Sequence, residues 1–154
     1  MYYTLIVLHS LVRWLVLASL LLAIYQSYRG WLGKKGFTKW DNTLRALTVT
    51  LAHVQLTIGV WLYLVSPLIK HFLNNYSATV GNRSIRFFGM EHSLMMILAV
   101  TFITIGGSQA RRRSMAGQKF KAMAIWFTIA LVIIFVSIPW PFSPMAERPW
   151  IRTF

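Results

Sequence analysis

The sequence contains no cysteine and very few acidic residues. Without cysteine the chain has no disulfide, no thiolate-ligated metal site and no haem attached covalently through sulfur. Its 154 residues include 16 Lys and Arg but only 3 Asp and Glu, and charged residues make up 12% in all. A soluble domain carries about a quarter charged residues. This sequence has too little polar surface to cover a water-soluble globule, so we expect lipid to be the solvent for much of the chain.

Four long apolar segments are each able to cross a bilayer, which takes about 20 residues of helix. They cover approximately residues 2–25, 42–66, 87–107 and 122–138. The first lacks the basic start of a signal peptide and is longer than the apolar region of one, so we expect it to be retained. The predicted fold is an all-α membrane protein, with residues 1–154 forming a single domain of four transmembrane helices.

The basic residues predict the orientation of this bundle. The loops after the first and third segments hold Arg29, Lys34, Lys35, Lys39, Arg45, Arg111, Arg112, Arg113, Lys119 and Lys121. The middle loop and the tail hold only Lys70, Arg83, Arg86, Arg148 and Arg152. Because basic loops stay in the cytoplasm, both termini are predicted on the non-cytoplasmic side. The same rule explains the excess of basic charge, so we expect contact with anionic lipid and no nucleic-acid partner.

Local signals mark the ends of the predicted helices. Asp41 and Asn42 are suited to cap the second helix. Pro139 and Pro141 are expected to end the fourth, because proline lacks a backbone N–H. The middle loop, residues 67–86, contains several asparagines and a glycine and is predicted to be irregular.

Five ionisable residues fall inside the predicted membrane segments. His9 and Arg13 lie on the first helix, His53 on the second, and Glu91 and His92 on the third. Charged and titratable groups are costly in lipid, so each one is a candidate functional residue. A membrane histidine can simply bond neighbouring helices, and Arg13 can reach the interface with its long side chain. Three histidines on three separate helices favour a ligand-binding role.

Depth in the membrane separates the three histidines. At 1.5 Å per residue, His9 and His92 each lie roughly 7–10 Å into their apolar segments from the same side of the membrane, whereas His53 lies near the middle. Two imidazoles at one depth can hold an iron between them. We predict His9 and His92 as an axial haem pair with His53 as the reserve ligand. Arg13 is expected to pair with a haem propionate, a quinone oxygen or Glu91.

Motifs on all four helices resemble a known family. They are HSLVRW at 9–14, HVQLTIGVWLY at 53–63, RFFGMEHSLMM at 86–96 and IPWPF at 138–142. In this order they resemble the small four-helix bacterial membrane proteins that are called cytochrome b.

The resemblance implies a multi-pass protein of the bacterial inner membrane that binds haem b without a covalent bond. It also implies electron transfer with quinone, a redox partner or a larger respiratory complex, either as an electron-transfer subunit or as a quinol-linked oxidoreductase. His9, His53 and His92 are the ligand candidates that it indicates. The larger group of di-haem four-helix cytochromes supplies two pairs of histidines, whereas this chain has three membrane histidines and none on the fourth helix. At most one bis-histidine haem is therefore expected, and Glu91 is expected to carry protons if quinol is oxidised.

Two other functions are consistent with the same residues. A copper-handling protein would use histidine together with the methionines Met90, Met95, Met96 and Met123. A structural accessory subunit of a larger membrane complex would use the polar residues for assembly alone and would bind neither haem nor metal.

Overall fold

The structure is a computed structural model that describes residues 1–142; the tail residues Arg148 and Arg152, which contribute to the predicted orientation, lie outside this part of the chain. The described residues form seven α-helices and one π-helical turn. The helices are α1 (Tyr2–Leu32), α2 (Lys39–Val65), α3 (Pro67–Asn74), α4 (Tyr76–Thr79), α5 (Arg83–Arg86), α6 (His92–Arg112) and α7 (Ala116–Ser137). The π-turn, Phe87–Glu91, joins α5 to α6 without a break.

Four helical stretches are long and apolar enough to span a membrane, which confirms the predicted fold class. They are α1, α2, the combined stretch Arg83–Arg112 and α7. Each extends beyond its predicted apolar segment; α1, for example, continues to Leu32. Hydropathy detects only the part of a helix that needs lipid, whereas the helical hydrogen bonds continue until a residue interrupts them. The side of the membrane on which the termini lie stays a prediction.

The four spans form a ring in which helices that follow each other in sequence pack side by side. The main neighbours of α1 are α2 and α7, and these two are also the main neighbours of α6. The spans alternate in direction, so α1 and α6 lie across the bundle from each other. We call the half of the bundle that ends at Arg45 and Arg111 the basic half, and the half that contains His9 and His92 the histidine half.

The start of α2 differs from the prediction. Thr38 is the N-cap, and its hydroxyl accepts a hydrogen bond from the backbone N–H of Asp41. The Asp41 carboxylate in turn accepts from the N–H of Thr38 at 2.8 Å. Asp41 is therefore at position N3 of a capping box, three residues after the N-cap Thr38, and is not the N-cap itself. Asn42 lies inside the helix, where its side-chain oxygen accepts a hydrogen bond from Arg45 at 3.0 Å.

The middle loop is helical, which corrects the prediction of an irregular loop. Most of residues 67–86 fall in the three short helices α3, α4 and α5. Proline at the first position of α3 is compatible with a helix start, since the missing N–H would be unbonded there. Ile69 and Phe72 are buried, so α3 packs one apolar face against the histidine half. The asparagines act at helix ends, as Asn82 does for α5.

The basic half is closely packed around small residues. A side chain added at Gly106 of α6 would lie 2.6 Å from the Cβ of Trp126 on α7, and one at Gly107 would lie 2.6 Å from Val49 on α2. Such distances are far below van der Waals contact. Glycine at these positions allows the helices to approach closely, as is common where membrane helices pack.

Candidate functional site

His9 and His92 face each other across the bundle. Their ring centroids are 6.5 Å apart and the ring planes are inclined at 73°. Two bonds of about 2.0 Å from nitrogen to a metal, with roughly 1 Å from each nitrogen to its ring centre, give about 6 Å between centroids. The separation of the two rings therefore fits a single metal atom between them.

The His92 ring is oriented by the end of α7. Its Nδ1 lies 2.8 Å from the carbonyl oxygen of Ser137. A carbonyl only accepts, so Nδ1 carries the proton and donates, and Nε2 keeps its lone pair. This carbonyl belongs to the last turn of α7, and the residue four positions later is Pro141, which has no N–H to offer. A ring nitrogen held in this way by a backbone carbonyl is typical of metal-binding histidines.

The His9 ring lies against α2 at Gly59. A Cβ at Gly59 would lie 3.2 Å from Cε1 of His9, so the missing side chain makes room for the ring. Gln55, one turn along α2, donates its amide to the His9 carbonyl oxygen at 2.9 Å. Two buried polar atoms here have no hydrogen-bond partner among the described residues: Nδ1 of His9 and Oε1 of Gln55. A buried polar atom without a partner is costly. Here two such atoms belong to residues that contact each other, which is typical of a ligand site.

Both histidines line a cavity of about 550 Å³ in the histidine half. This volume lies within the range of about 300–1,000 Å³ that small-molecule and cofactor pockets show. Its walls are mainly apolar and come from α1, α2, α3, the third span and the end of α7. Three of the lining residues also expose about half of their surface: Val60 (48%) on α2 and Leu94 (52%) and Ile97 (48%) on α6. The cavity therefore opens towards the lipid, between α2 and α6.

Arg13 also lines the cavity, one helical turn from His9. Its guanidinium carbon lies 5.3 Å from the centroid of the Trp14 ring. The residue is half-buried, so its positive charge stays within the bundle and acts on the cavity. The structure brings Arg13, His9 and His92 together, as the sequence predicts for a shared site.

His53 is not part of this site. Its Nδ1 lies 2.8 Å from the carbonyl oxygen of Val49, and its Nε2 lies 3.2 Å from the hydroxyl of Thr104 on α6. The side chain is exposed at the surface of the bundle, where it joins α2 to α6, and it does not line the cavity. Nδ1 donates to the Val49 carbonyl, which accepts only, and Nε2 lies against the Thr104 hydroxyl. The structure therefore places His53 between α2 and α6 and not beside the other two histidines.

Glu91 does not line the cavity either. Its carboxylate accepts a hydrogen bond from Nε of Arg86 at 2.7 Å, and both side chains are about one-third exposed. The two residues are five positions apart: Arg86 directly precedes the π-turn and Glu91 is its last residue, and the backbone bonds of the turn also span five residues. Among the described residues the Glu91 carboxylate pairs with Arg86 and not with Arg13. The predicted part of Glu91 in binding a cofactor stays a prediction.

The described residues offer a cofactor two facing imidazoles and mainly apolar walls. Within residues 1–142, no group of three or more His, Asp or Glu side chains is close enough to hold a metal ion. Haem iron needs no such group, since the macrocycle supplies the equatorial ligands and the protein supplies only the axial ones. The two facing imidazoles, the unpaired Gln55 oxygen and the apolar walls fit a flat amphiphilic cofactor of this kind.

Three further contributors to the site are the Ser137 carbonyl, Gly59 and Gln55. Sequence reasoning gave no role to the Ser137 carbonyl or to Gln55, and it noted Gly59 only as a small residue that would let a flat ligand or a neighbouring backbone approach the second helix. The carbonyl is a backbone group that a pattern of side chains cannot reveal. Gly59 and Gln55 carry a signal, because a small and a polar residue four positions apart share one face of α2. That face points to His9.

No match to this chain was found among protein-family models, among curated proteins or among solved structures. The resemblance to the small cytochrome b proteins therefore stays a prediction, and the case for a function depends on the site itself.

Proposed function

We propose that this protein is a membrane b-type cytochrome that holds one non-covalent haem between His9 and His92 and exchanges electrons with quinone or a redox partner. The observation that carries the proposal is the pair of imidazoles on opposite helices, 6.5 Å apart at the wall of an apolar cavity. A four-helix membrane bundle of this design suits the bacterial inner membrane, which is the location we propose.

Each residue of the site has a distinct part in this proposal. His92 offers Nε2 while the Ser137 carbonyl fixes its tautomer and the direction of its ring. His9 would hold the haem from the opposite helix, and its ring is seated against Gly59. Arg13 supplies positive charge to a cavity of low dielectric, which favours the form of the cofactor with one more electron. When bound, haem supplies one-electron redox chemistry.

The opening of the cavity supports a partner that is dissolved in lipid. Val60, Leu94 and Ile97 border the opening, and all three are apolar. A quinone could approach there without leaving the membrane, which favours quinone over a soluble partner. The part of a proton carrier is not assigned to Glu91, since its carboxylate pairs with Arg86 away from the cavity.

Absorbance spectra of the purified protein and of three single variants test the proposal. The wild type should purify red with a Soret band, and reduction should sharpen its visible bands. His9→Ala and His92→Ala should each abolish haem retention. His53→Ala is the matched control, because it removes a membrane histidine outside the cavity and should leave haem bound.

Other outcomes identify the competing functions. If the wild type is colourless and contains stoichiometric copper, and His9→Ala loses that copper, the protein handles copper and the haem proposal is wrong. Colourless protein without metal would indicate an accessory subunit. Loss of haem in His53→Ala with retention in His9→Ala would show that the ligand assignment is wrong.

A further inference from the structure

The stretch of chain that leads into α6 has an unusual backbone. Residues Phe87–Glu91 form a π-helical turn directly before His92. Such turns are rare, occur mostly as single insertions into α-helices and are frequent at functional sites. One inserted residue rotates the side chains that follow by about 100°, the angle that each residue contributes to an α-helix. The π-turn thus determines the direction in which His92 leaves the third span.

Two hydrogen bonds stabilise this turn from its surroundings. The hydroxyl of Tyr63 on α2 donates to the carbonyl oxygen of Gly89 at 2.9 Å. The hydroxyl of Ser93 donates to the carbonyl oxygen of Phe88 at 3.2 Å. Both carbonyls lie within the π-turn, so each of the two hydroxyls, one from α2 and one from the start of α6, is tied to the backbone of the turn.

Gly89, whose carbonyl accepts the bond from Tyr63, also lies in close contact with α3. Gly89 is buried, and a Cβ built on it would lie 2.5 Å from the ring of Phe72 on α3. Glycine at this position therefore lets α3 pack directly on the π-turn while α2 bonds to its carbonyl. The rings of Phe87 and Phe88 lie 5.6 and 6.2 Å from the His92 ring, centroid to centroid, so the turn itself forms one side of the histidine's environment.

We propose that Tyr63 is a positioning residue for His92: by holding the Gly89 carbonyl, its hydroxyl keeps the π-turn in place and so sets the angle at which the imidazole enters the cavity. The inference takes its cofactor, haem, from the proposed function and rests on it to that extent. The placement of the His92 ring by Tyr63 can nevertheless be measured in the chain alone.

The matched pair of variants is Tyr63→Phe and Tyr28→Phe. Tyr28 on α1 also makes an interhelical hydroxyl contact, 3.3 Å from the hydroxyl of Thr128 on α7, but in the basic half. Each variant removes one such contact and leaves the aromatic ring in place. A purely structural role for Tyr63 predicts similar behaviour of the two variants, whereas positioning predicts an effect on His92 in Tyr63→Phe alone.

Three measurements separate these outcomes. In Tyr63→Phe we expect altered ¹⁵N chemical shifts of the His92 ring, faster amide exchange across residues 87–93, and haem loss accelerated roughly 3–10-fold. Removal of a direct partner of a metal ligand typically lowers metal affinity or activity 10–100-fold. We expect a smaller effect here, because Tyr63 acts on His92 through the backbone. Tyr28→Phe should change none of the three. Ser93→Ala, which removes the second bond to the turn, should shift the same signals in the same direction and serves if Tyr63→Phe folds poorly.

The results distinguish failure of the inference from failure of the proposed function. If the wild type binds no haem, the proposed function fails, while the ring shifts and the amide exchange still test the placement of His92. If the His92 shifts and the exchange of residues 87–93 in Tyr63→Phe match those of the wild type, Tyr63 only joins two helices and the inference is overturned.

Discussion

The two halves of the bundle are packed in opposite ways. In the basic half the helices meet at glycine and alanine, and buried hydroxyls bond to nearby carbonyls, as Thr48 does to Leu44 at 2.9 Å. In the histidine half the same four spans diverge around a cavity of about 550 Å³, and two buried atoms, Nδ1 of His9 and Oε1 of Gln55, lack partners among the described residues. Close packing in one half can support a hollow in the other, because membrane helices associate chiefly through packing and hydrogen bonds.

The side of the membrane that each half faces can be tested first, since the expected signal is all or none. The basic half carries ten Lys and Arg residues, five from Arg29 to Arg45 and five from Arg111 to Lys121, with Asp41 as the acidic residue near them. The positive-inside rule then places the basic half in the cytoplasm. A phosphatase fused to the C-terminus should be active in the periplasm, and one fused within residues 33–37 should be inactive. The reverse pattern would invert the orientation and put the cavity near the cytoplasm.

Closer contact in the basic half should lower stability. Gly106→Ala brings a methyl group against Cβ of Trp126 at 2.6 Å, an atom that moves only with the backbone of α7. Overpacking of this kind costs about 1–3 kcal/mol. The free energy of unfolding should fall by that amount in denaturant titrations in detergent. Gly117→Ala is the control, because a Cβ there meets nothing within 4 Å. Equal stability of the two variants would show that the α6–α7 contact is looser than described.

The contrast between the halves also shows what the sequence reveals. Apolar length alone predicts the four spans, and equal depth of His9 and His92 predicts that they share one level of the bundle. Hydropathy does not predict the short helices after Val65, because α3 buries only one face. Nor does it reveal the π-turn, which depends on contacts from Tyr63 and Phe72 rather than on local sequence. The capping box at Thr38 could have been predicted from the sequence, since a threonine three residues before an acidic residue is its signature.

The site was partly predictable for the same reasons. A count of residues along a helix gives depth, so it separates His53 from the other two histidines. It does not give the direction of a side chain where the helix is irregular, and at such a place the Glu91 carboxylate lies against Arg86 rather than at the cavity wall. The unpaired Gln55 oxygen depends on the approach of α1 and α2, which no single segment encodes.

The charge of Arg13 should affect the redox potential of a haem bound in the cavity. A unit charge at about 10 Å with an effective dielectric constant near 20 changes the energy by about 1.7 kcal/mol, which corresponds to on the order of 50–100 mV for one electron. Arg13→Gln should lower the midpoint potential by this amount, because a nearby cation favours the reduced form. Arg13→Lys keeps the charge and should change the potential much less. An unchanged potential in Arg13→Gln would show that the guanidinium does not act on the iron.

The smallest change in stability is expected at Gly59, the counterpart of Gly106 in the hollow half. A methyl group at Gly59 would lie 3.2 Å from Cε1 of His9, so the ring has to move by only a few tenths of an ångström. The ring borders a cavity and has space into which it can shift, unlike the Trp126 backbone. Gly59→Ala should therefore change the free energy of unfolding by less than about 0.5 kcal/mol, the range typical of substitutions without a steric conflict. The displaced imidazole should nevertheless weaken haem binding and shift the absorbance bands. A large loss of stability, comparable with that of Gly106→Ala, would contradict the distinction between a packed half and a hollow half.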